Sequence, residues 1–495
     1  TSLVDLLRQR AITEPTRTIF QLWHDDNTAV ALTYQNLDHC ARLVAAELQA
    51  LGAAGTRVLL LYPFGPEFIT AFLGCLYAGA VAVPLYPPRQ NRPDARLAAV
   101  AADAQAAFAL TTPAIQASLT KRRTPDDATL VMQWHATPSL ATLLAERSAQ
   151  PPATWQPVAP TSDDLAFLQY TSGSTALPKG VMISHGNLLH NAGLIQAAFG
   201  VTAASRGLMW TPFYHDMGLI GGLVVPIVTD SETWLMDPVA FLQRPERWLQ
   251  AISAQRATVS GGPNFAYELC VDKITPAHCA DLDLSSWAVA FCGAEPVRAA
   301  TIRRFTEKFA PYGFQPNAFT PCYGLAESTV FVSSTPHNVA PILLDVDKAA
   351  LAANVVTSPT GTDATAPQHV VSMGQAWADH RFLIVDPETA QPLPDNVVGE
   401  IWISGPSVAQ GYWQRPDLTA ITFSVHLANG DETPYLRSGD LGFCRAGELF
   451  VTGRCKDLIV IRGKNYYPQD IEQTVEAAHV ALRKGCGAAF TLDEA

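Results

Sequence analysis

Apolar residues in the first third of the chain fall into blocks with two spacings. Leu37, Leu43, Val44, Leu48 and Leu51 recur at helical intervals over residues 35–51. The run Arg57-Val58-Leu59-Leu60-Leu61-Tyr62 is short and unbroken, which predicts a buried strand. The apolar block 68–85 has the look of a membrane span, but Gly79 divides it. Pro66 opens a helix ahead of that glycine, and Ala80-Val81-Ala82-Val83, closed by Pro84, reads as a strand after it. A helix over 96–104 and a strand at Ala107-Phe108-Ala109-Leu110 follow. Strands alternating with helices predict a parallel α/β sheet.

A proline-rich connector at 150–160 leads into a second α/β run, with strands at Leu165-Ala166-Phe167-Leu168, 207–210 and 288–292. Active-site loops in such folds lie at the carboxyl ends of strands, and the loops after Leu168, Trp210 and Cys292 fit that rule. From His380 the texture changes to short strands and turns. Arg381-Phe382-Leu383-Ile384-Val385, Glu400-Ile401-Trp402-Ile403, Leu449-Phe450-Val451 and Leu458-Ile459-Val460-Ile461 predict a small β subdomain and its continuation. Segment 347–367 is small, polar and rich in Pro and Thr, and reads as an insertion or long loop.

A length of 495 residues exceeds one ordinary core, so several domains or subdomains are expected. A net charge of −12 argues against a nucleic-acid partner, which needs a basic face. The nine cysteines are scattered without a Cys-x-x-Cys pair, which points to reduced thiols rather than disulfides or zinc. With no apolar leader around Asp5, Arg8 and Arg10 and no transmembrane segment, a cytoplasmic location is expected.

The richest chemistry lies in Tyr170-Thr171-Ser172-Gly173-Ser174-Thr175-Ala176-Leu177-Pro178-Lys179-Gly180. Successive N–H groups and hydroxyls after a buried strand can wrap phosphate oxygens, and a lysine adds a point charge. It is no nucleoside-triphosphatase P-loop, because Gly180 rather than Ser or Thr follows Lys179. Thr211-Pro212-Phe213-Tyr214-His215-Asp216-Met217-Gly218-Leu219-Ile220-Gly221-Gly222 mixes polar and apolar groups. It suits either an amphiphile with a polar head or the start of a core helix. Cys292-Gly293-Ala294-Glu295-Pro296 is a strand running into a tight turn, and Tyr323-Gly324-Leu325-Ala326-Glu327 sets an aromatic beside a carboxylate. An aromatic can stack on a base, and a carboxylate can hold Mg²⁺. Arg437-Ser438-Gly439-Asp440 places a carboxylate on a glycine turn, and Gly453-Arg454-Cys455-Lys456-Asp457 is a hinge or a hairpin.

In their order along nearly the whole chain, the loop Thr171–Gly180, Tyr323–Glu327, Arg437–Asp440 and Gly453–Asp457 resemble the adenylate-forming superfamily. Ala82-Val83-Pro84-Leu85-Tyr86-Pro87-Pro88, the segment from His215 to Gly221 and Arg462-Gly463-Lys464-Asn465-Tyr466-Tyr467-Pro468 are similar to the fatty acyl-AMP ligases. Ala326 stands where the wider superfamily usually has Thr. The resemblance implies an α/β fold: a large N-terminal domain, 1–455, of two α/β subdomains and a small β subdomain. A small α+β C-terminal domain begins at the hinge Lys456 and is incomplete in 456–495.

It also implies ATP and Mg²⁺ as cofactors, a fatty acid as substrate and an acyl carrier protein as acceptor. Thr171, Ser172, Gly173, Ser174, Thr175 and Lys179 would bind the ATP phosphates, and Glu327 the Mg²⁺. Ala294, Glu295, Pro296, Tyr323, Gly324, Asp440 and Arg454 would hold adenine and ribose. His215, Asp216, Met217, Gly218 and Ile220 would receive the fatty acid, with Lys179, Glu327 and His215 as the catalytic groups. Segment 347–367 falls where these ligases carry an extra segment, which implies restricted domain movement and exclusion of CoA. The family's C-terminal catalytic lysine has no counterpart here, so the expectation is a form that binds ATP and acyl adenylate but adenylates poorly. The alternatives are a fatty acyl-CoA ligase, which would turn over free CoA, and a non-catalytic loading module, which would bind ATP without releasing pyrophosphate.

Overall fold

In the computed structural model of the chain, the described residues are 2–23, 29–88, 95–120, 132–145, 155–171, 178–359, 367–461, 464–479, 481–482 and 486–491. The chain divides into two compact units. The first comprises Thr1–Ser260, Ala326–Val330 and Pro406–Ala420; the second comprises Gly261–Leu325, Phe331–Gly405 and Ile421–Ala495.

The first unit contains β1 (Thr18–Trp23), β2 (Ala29–Thr33), β3 (Arg57–Leu61), β4 (Val81–Pro84), β5 (Phe108–Thr111), β6 (Gln133–Ala136), β7 (Leu165–Thr171), β8 (Lys179–Ser184), β9 (Arg206–Met209), β10 (Glu232–Met236) and the first two residues of β11, which spans Val259–Gly262. One sheet has the order β6-β5-β3-β4-β7-β8. Its strands are parallel except for the β7–β8 hairpin. Leu59, Leu61, Val81, Val83 and Leu168 fill its core, as unbroken apolar runs in a parallel sheet require. The helix Pro66–Ala78 is buried from Phe68 onward and ends at Gly79, whose φ of 70° is left-handed. The apolar block 68–85 is therefore a core helix followed by a core strand. Gly74 lets that helix close on its neighbour Tyr34–Ala50, since a Cβ there would sit 2.5 Å from Val44 Cγ1. Among the described residues, no helix is long and apolar enough to cross a membrane. The remaining strands run β11-β9-β10-β1-β2, parallel apart from β1–β2.

The second unit carries β12 (Val289–Cys292), β13 (Phe319–Tyr323), β14 (Ser333–Ser334), β15 (Leu343–Val346), β16 (Gln368–Val371), β17 (Gln375–Ala376), β18 (Arg381–Val385), β19 (Gly399–Ser404), β20 (Leu436–Arg445), β21 (Glu448–Arg454), β22 (Ile459–Ile461) and β23, which spans Lys464–Tyr466. β12 and β13 are parallel, over a core of Tyr267, Trp287, Phe305 and Phe319. β18-β19-β20-β21 is an antiparallel sheet, the small β subdomain expected from the pattern after His380.

Two sequence expectations change here. Arg437-Ser438-Gly439-Asp440 is not a free turn but lies inside β20. The register slips there, from Trp402↔Arg437 to Glu400↔Leu441, so the segment is a bulge with Gly439 at φ 73°. Segment 347–367 is more than a loop, because Asp347 caps a helix over Lys348–Ala352. Leu351 and Val356 are buried in one apolar cluster with Val398, Phe443, Phe450 and Tyr467. Residues 360–366 of that segment lie outside the described residues.

Candidate functional site

β7 delivers Thr171, and β8 begins at Lys179 directly opposite it. Ser172, Gly173, Ser174 and Thr175 lie outside the described residues. The hairpin stem is tightly set. A Cβ on Gly180 would come 2.9 Å from the Tyr170 ring, and the Tyr170 hydroxyl donates to Asp103 at 2.7 Å. Asp103 also pairs with Arg415 at 2.6 Å.

Arg415 belongs to Pro406–Ala420, a strap that runs along β8. Met182 N–H donates to the Gly411 carbonyl at 2.9 Å, and Trp413 N–H to the Gly180 carbonyl at 2.8 Å. Tyr412 sits between those bonds. Its ring faces the Lys179 ammonium at 5.2 Å, and its hydroxyl donates to Glu327 Oε1 at 2.7 Å. Burial and the adjacent Glu327 carboxylate push the Tyr412 phenol well above its ordinary pKa, so it stays a donor. Ala409 N–H also donates to the Glu327 carbonyl at 2.9 Å. The strap therefore ties the loop lysine to the candidate metal-binding carboxylate. From the other side, Asn187 Nδ2 donates to the Pro406 and Val408 carbonyls at 2.7 and 3.0 Å.

The expected acyl segment lies in the same unit. After Met209 the chain turns through 210–216 into a π-helix, Met217–Val224, a rare form that recurs at functional sites. Asp216 accepts from Met217 N–H at 2.7 Å and pairs with His215 Nδ1 at 2.7 Å. The Asp216 charge raises the His215 pKa above its ordinary value. Gly218 packs backbone to backbone, since a Cβ there would lie 2.1 Å from the Pro212 carbonyl oxygen, and Ile220 is wholly buried. Gln169 on β7 donates to the Tyr214 carbonyl at 3.1 Å, linking that strand to this segment. Among the described residues, the buried Thr211 hydroxyl finds no partner.

In the second unit, β12 and β13 end side by side, with Cys292 opposite Pro321. A Cβ on Gly293 would lie 2.6 Å from the Cys322 carbonyl oxygen, and Ala294 holds a left-handed φ of 66°. A non-glycine in that region marks a constrained turn. Glu295 accepts from Phe265 N–H at 2.6 Å, so its side chain anchors this turn to a helix N-terminus, and burial raises its pKa. The Tyr323 hydroxyl donates to Asp440 Oδ2 at 2.7 Å, and Arg454 Nε lies 3.4 Å from Oδ1. Tyr323, Asp440 and Arg454 are thus together. Beneath them, Glu400 shapes the bulge: it accepts from Arg437 Nε at 2.9 Å, Trp402 Nε1 at 3.0 Å and Gly439 N–H at 3.1 Å. Lys456 is exposed on the turn that follows β21.

Among the described residues, no group of three or more His, Cys, Asp and Glu side chains could hold a metal. Mg²⁺ does not require one. It is commonly held by one or two carboxylates with phosphate oxygens and water completing the shell. A half-buried Glu327 bonded through one oxygen fits that pattern. Sequence reasoning missed Tyr412, Asp103 and Glu400. The usable signal was Gly411-Tyr412-Trp413, aromatics beside a glycine with no core role evident in the pattern.

The family described as AMP-binding enzyme matches residues 7–413. The chain is 43% identical over 499 residues to the medium-chain-fatty-acid–acyl-carrier-protein ligase JamA of Moorena producens, covering 99% of this chain and 83% of that protein. It is 38% identical to the long-chain-fatty-acid–AMP ligase FadD26 of Mycobacterium marinum, covering 96% and 82%. Among solved structures it resembles a fatty acyl-adenylate ligase from L. pneumophila in complex with acyl adenylate and pyrophosphate. That likeness has a TM-score of 0.85 and 41% identity, and covers 100% of this chain and 84% of the other.

Proposed function

This chain belongs to the AMP-binding enzyme family, and from that premise we propose that it activates a fatty acid as acyl adenylate. The acyl group would then pass to the phosphopantetheine of an acyl carrier protein, as the name of the Moorena producens relative suggests. The observation that carries this reading is the linkage Lys179–Tyr412–Glu327 at the base of the hydroxyl-rich loop.

A carboxylate oxygen attacks the α-phosphorus of ATP, and the bond to pyrophosphate breaks. Two anions approach, so fixed donors and positive charge must offset their repulsion. Lys179 and Thr171, with the hydroxyls of 172–175, serve the β- and γ-phosphates. Mg²⁺, when bound, would neutralise charge on phosphate oxygens, with Glu327 as its protein ligand. Asp440 accepts from the ribose hydroxyls, Tyr323 stacks on adenine opposite Ala294, Glu295 and Pro296 beside Gly324, and Arg454 assists at the ribose. His215, held by Asp216, would donate to the fatty carboxylate, and Thr211 adds a hydroxyl donor.

Segment 347–367 restrains the residues after the hinge Lys456 and so disfavours CoA as acceptor. Its supports are the bond from Asn465 Nδ2 to Asn354 Oδ1 at 2.8 Å and the packing of Tyr467 with Leu351. Gln368 also donates to Asp470 at 3.2 Å. The test is exchange of labelled pyrophosphate into ATP. It should require a fatty acid; exchange that ignores the fatty acid would overturn the reading.

A further inference from the structure

The turn that bears Glu327 is held in a form it would not adopt alone. Thr329, two residues on, is β-branched and wholly buried, yet its φ is 69°. Left-handed backbone at such a residue persists only where the surroundings over-determine it. The strap supplies that constraint: Thr329 Oγ1 donates to the Ser407 carbonyl at 2.7 Å, and Ala409 grips the Glu327 carbonyl. The backbone of Glu327 is thus fixed, but its terminal torsion is broad and roughly two-fold. Among the described residues, the carboxylate takes one charge-assisted hydrogen bond, from Tyr412, and that bond sets the torsion.

We propose that Tyr412 is a positioning residue of the ATP site: its hydroxyl orients the Glu327 carboxylate for the metal while its ring seats the Lys179 ammonium. The inference rests on the adenylation reading above. One side chain thereby sets the spacing between the phosphate-binding cation and the metal-binding carboxylate. A residue that served packing alone would need the ring and not the hydroxyl.

Tyr412→Phe separates the two roles, because it keeps the ring over Lys179. Mn²⁺, standing in for Mg²⁺, can be titrated into the protein–ATP complex and followed by electron paramagnetic resonance. Tyr412→Phe should weaken Mn²⁺ binding about tenfold, as loss of a hydrogen bond to a charged group implies. The Mg²⁺ concentration at half-maximal pyrophosphate exchange should rise by a similar factor. Fatty-acid affinity should stay unchanged, and the unfolding transition should remain cooperative, with stability lowered by no more than the loss of one hydrogen bond implies. Tyr412→Leu should in addition weaken metal-free ATP binding about threefold or more, through loss of the cation–π contact. Adding Tyr412→Phe to Glu327→Gln should produce no further loss of Mn²⁺, because both act through one carboxylate. Tyr412→Phe binding Mn²⁺ as tightly as the parent, or additive losses in the double variant, overturns this inference alone. A parent chain that holds no Mn²⁺ with ATP overturns the adenylation reading and this inference together.

Discussion

Replacing Asp440 by alanine tests the nucleoside half of the site quantitatively. The carboxylate is 15% exposed, and in the free protein it already accepts from Tyr323 and faces Arg454. Both contacts are present before nucleotide binds, and where the complex keeps them they largely cancel in binding. On the proposed assignment, ATP adds two ribose hydroxyls donating to a charged oxygen pair. At about 1.5–3 kcal/mol for each such bond, the sum is roughly 3–6 kcal/mol. Asp440→Ala should therefore weaken ATP binding by at least about a hundredfold, at 1.4 kcal/mol per tenfold. Equilibrium dialysis with ATP and 2′-deoxy-ATP makes the test specific. The parent should prefer ATP about tenfold or more, and Asp440→Ala should bind both alike. Tyr323→Phe, which loses one donor to Asp440, should keep the preference. ATP affinity within threefold of the parent, or a surviving 2′-hydroxyl preference in Asp440→Ala, would refute the assignment.

Further expectations concern the other groups. Lys179→Met should weaken ATP binding about tenfold or more while leaving adenosine binding unchanged, since the proposal puts its charge at the outer phosphates alone. His215 has its pKa raised by Asp216 above the ordinary 6.5. A histidine raised on folding contributes stability that is complete below its unfolded pKa and lost as pH climbs through the folded one. Fatty-acid affinity should fall over that same upward pH window, and His215→Gln should flatten the profile. Asp103→Asn leaves Arg415 and Tyr170 without a charged acceptor, and should lower stability to urea unfolding by about 2–3 kcal/mol.

The alternation of helix and strand was legible because buried parallel strands must be unbroken apolar runs, as in Arg57–Leu61 and Val81–Pro84. The antiparallel meander was legible too, and Arg381–Val385 begins and ends where the pattern placed it. The bulge at Gly439 was not, because a glycine followed by an aspartate reads locally as a turn and only the register against β19 makes it a bulge. The helix in segment 347–367 was hidden by length: Lys348–Ala352 is too short to show periodicity, and is held by its Asp347 cap and the burial of Leu351. In the candidate site, Tyr323 and Asp440 are far apart in sequence, and the hydrogen bond between them follows from the fold. Tyr412 stayed invisible for a similar reason. Its partners Lys179 and Glu327 are brought to it by strand addition along β8, which no local pattern encodes.

The most direct test is the identity of the product in a single turnover, with protein in excess over ATP and the fatty acid labelled with ¹⁸O in its carboxylate. Mass spectrometry should find acyl-AMP, then AMP carrying one ¹⁸O after the acyl group passes to a phosphopantetheine-bearing carrier protein, with little acyl-CoA when free CoA is supplied. Efficient acyl-CoA formation would contradict delivery to a carrier protein, and AMP without the label would contradict attack by the fatty carboxylate on the α-phosphate.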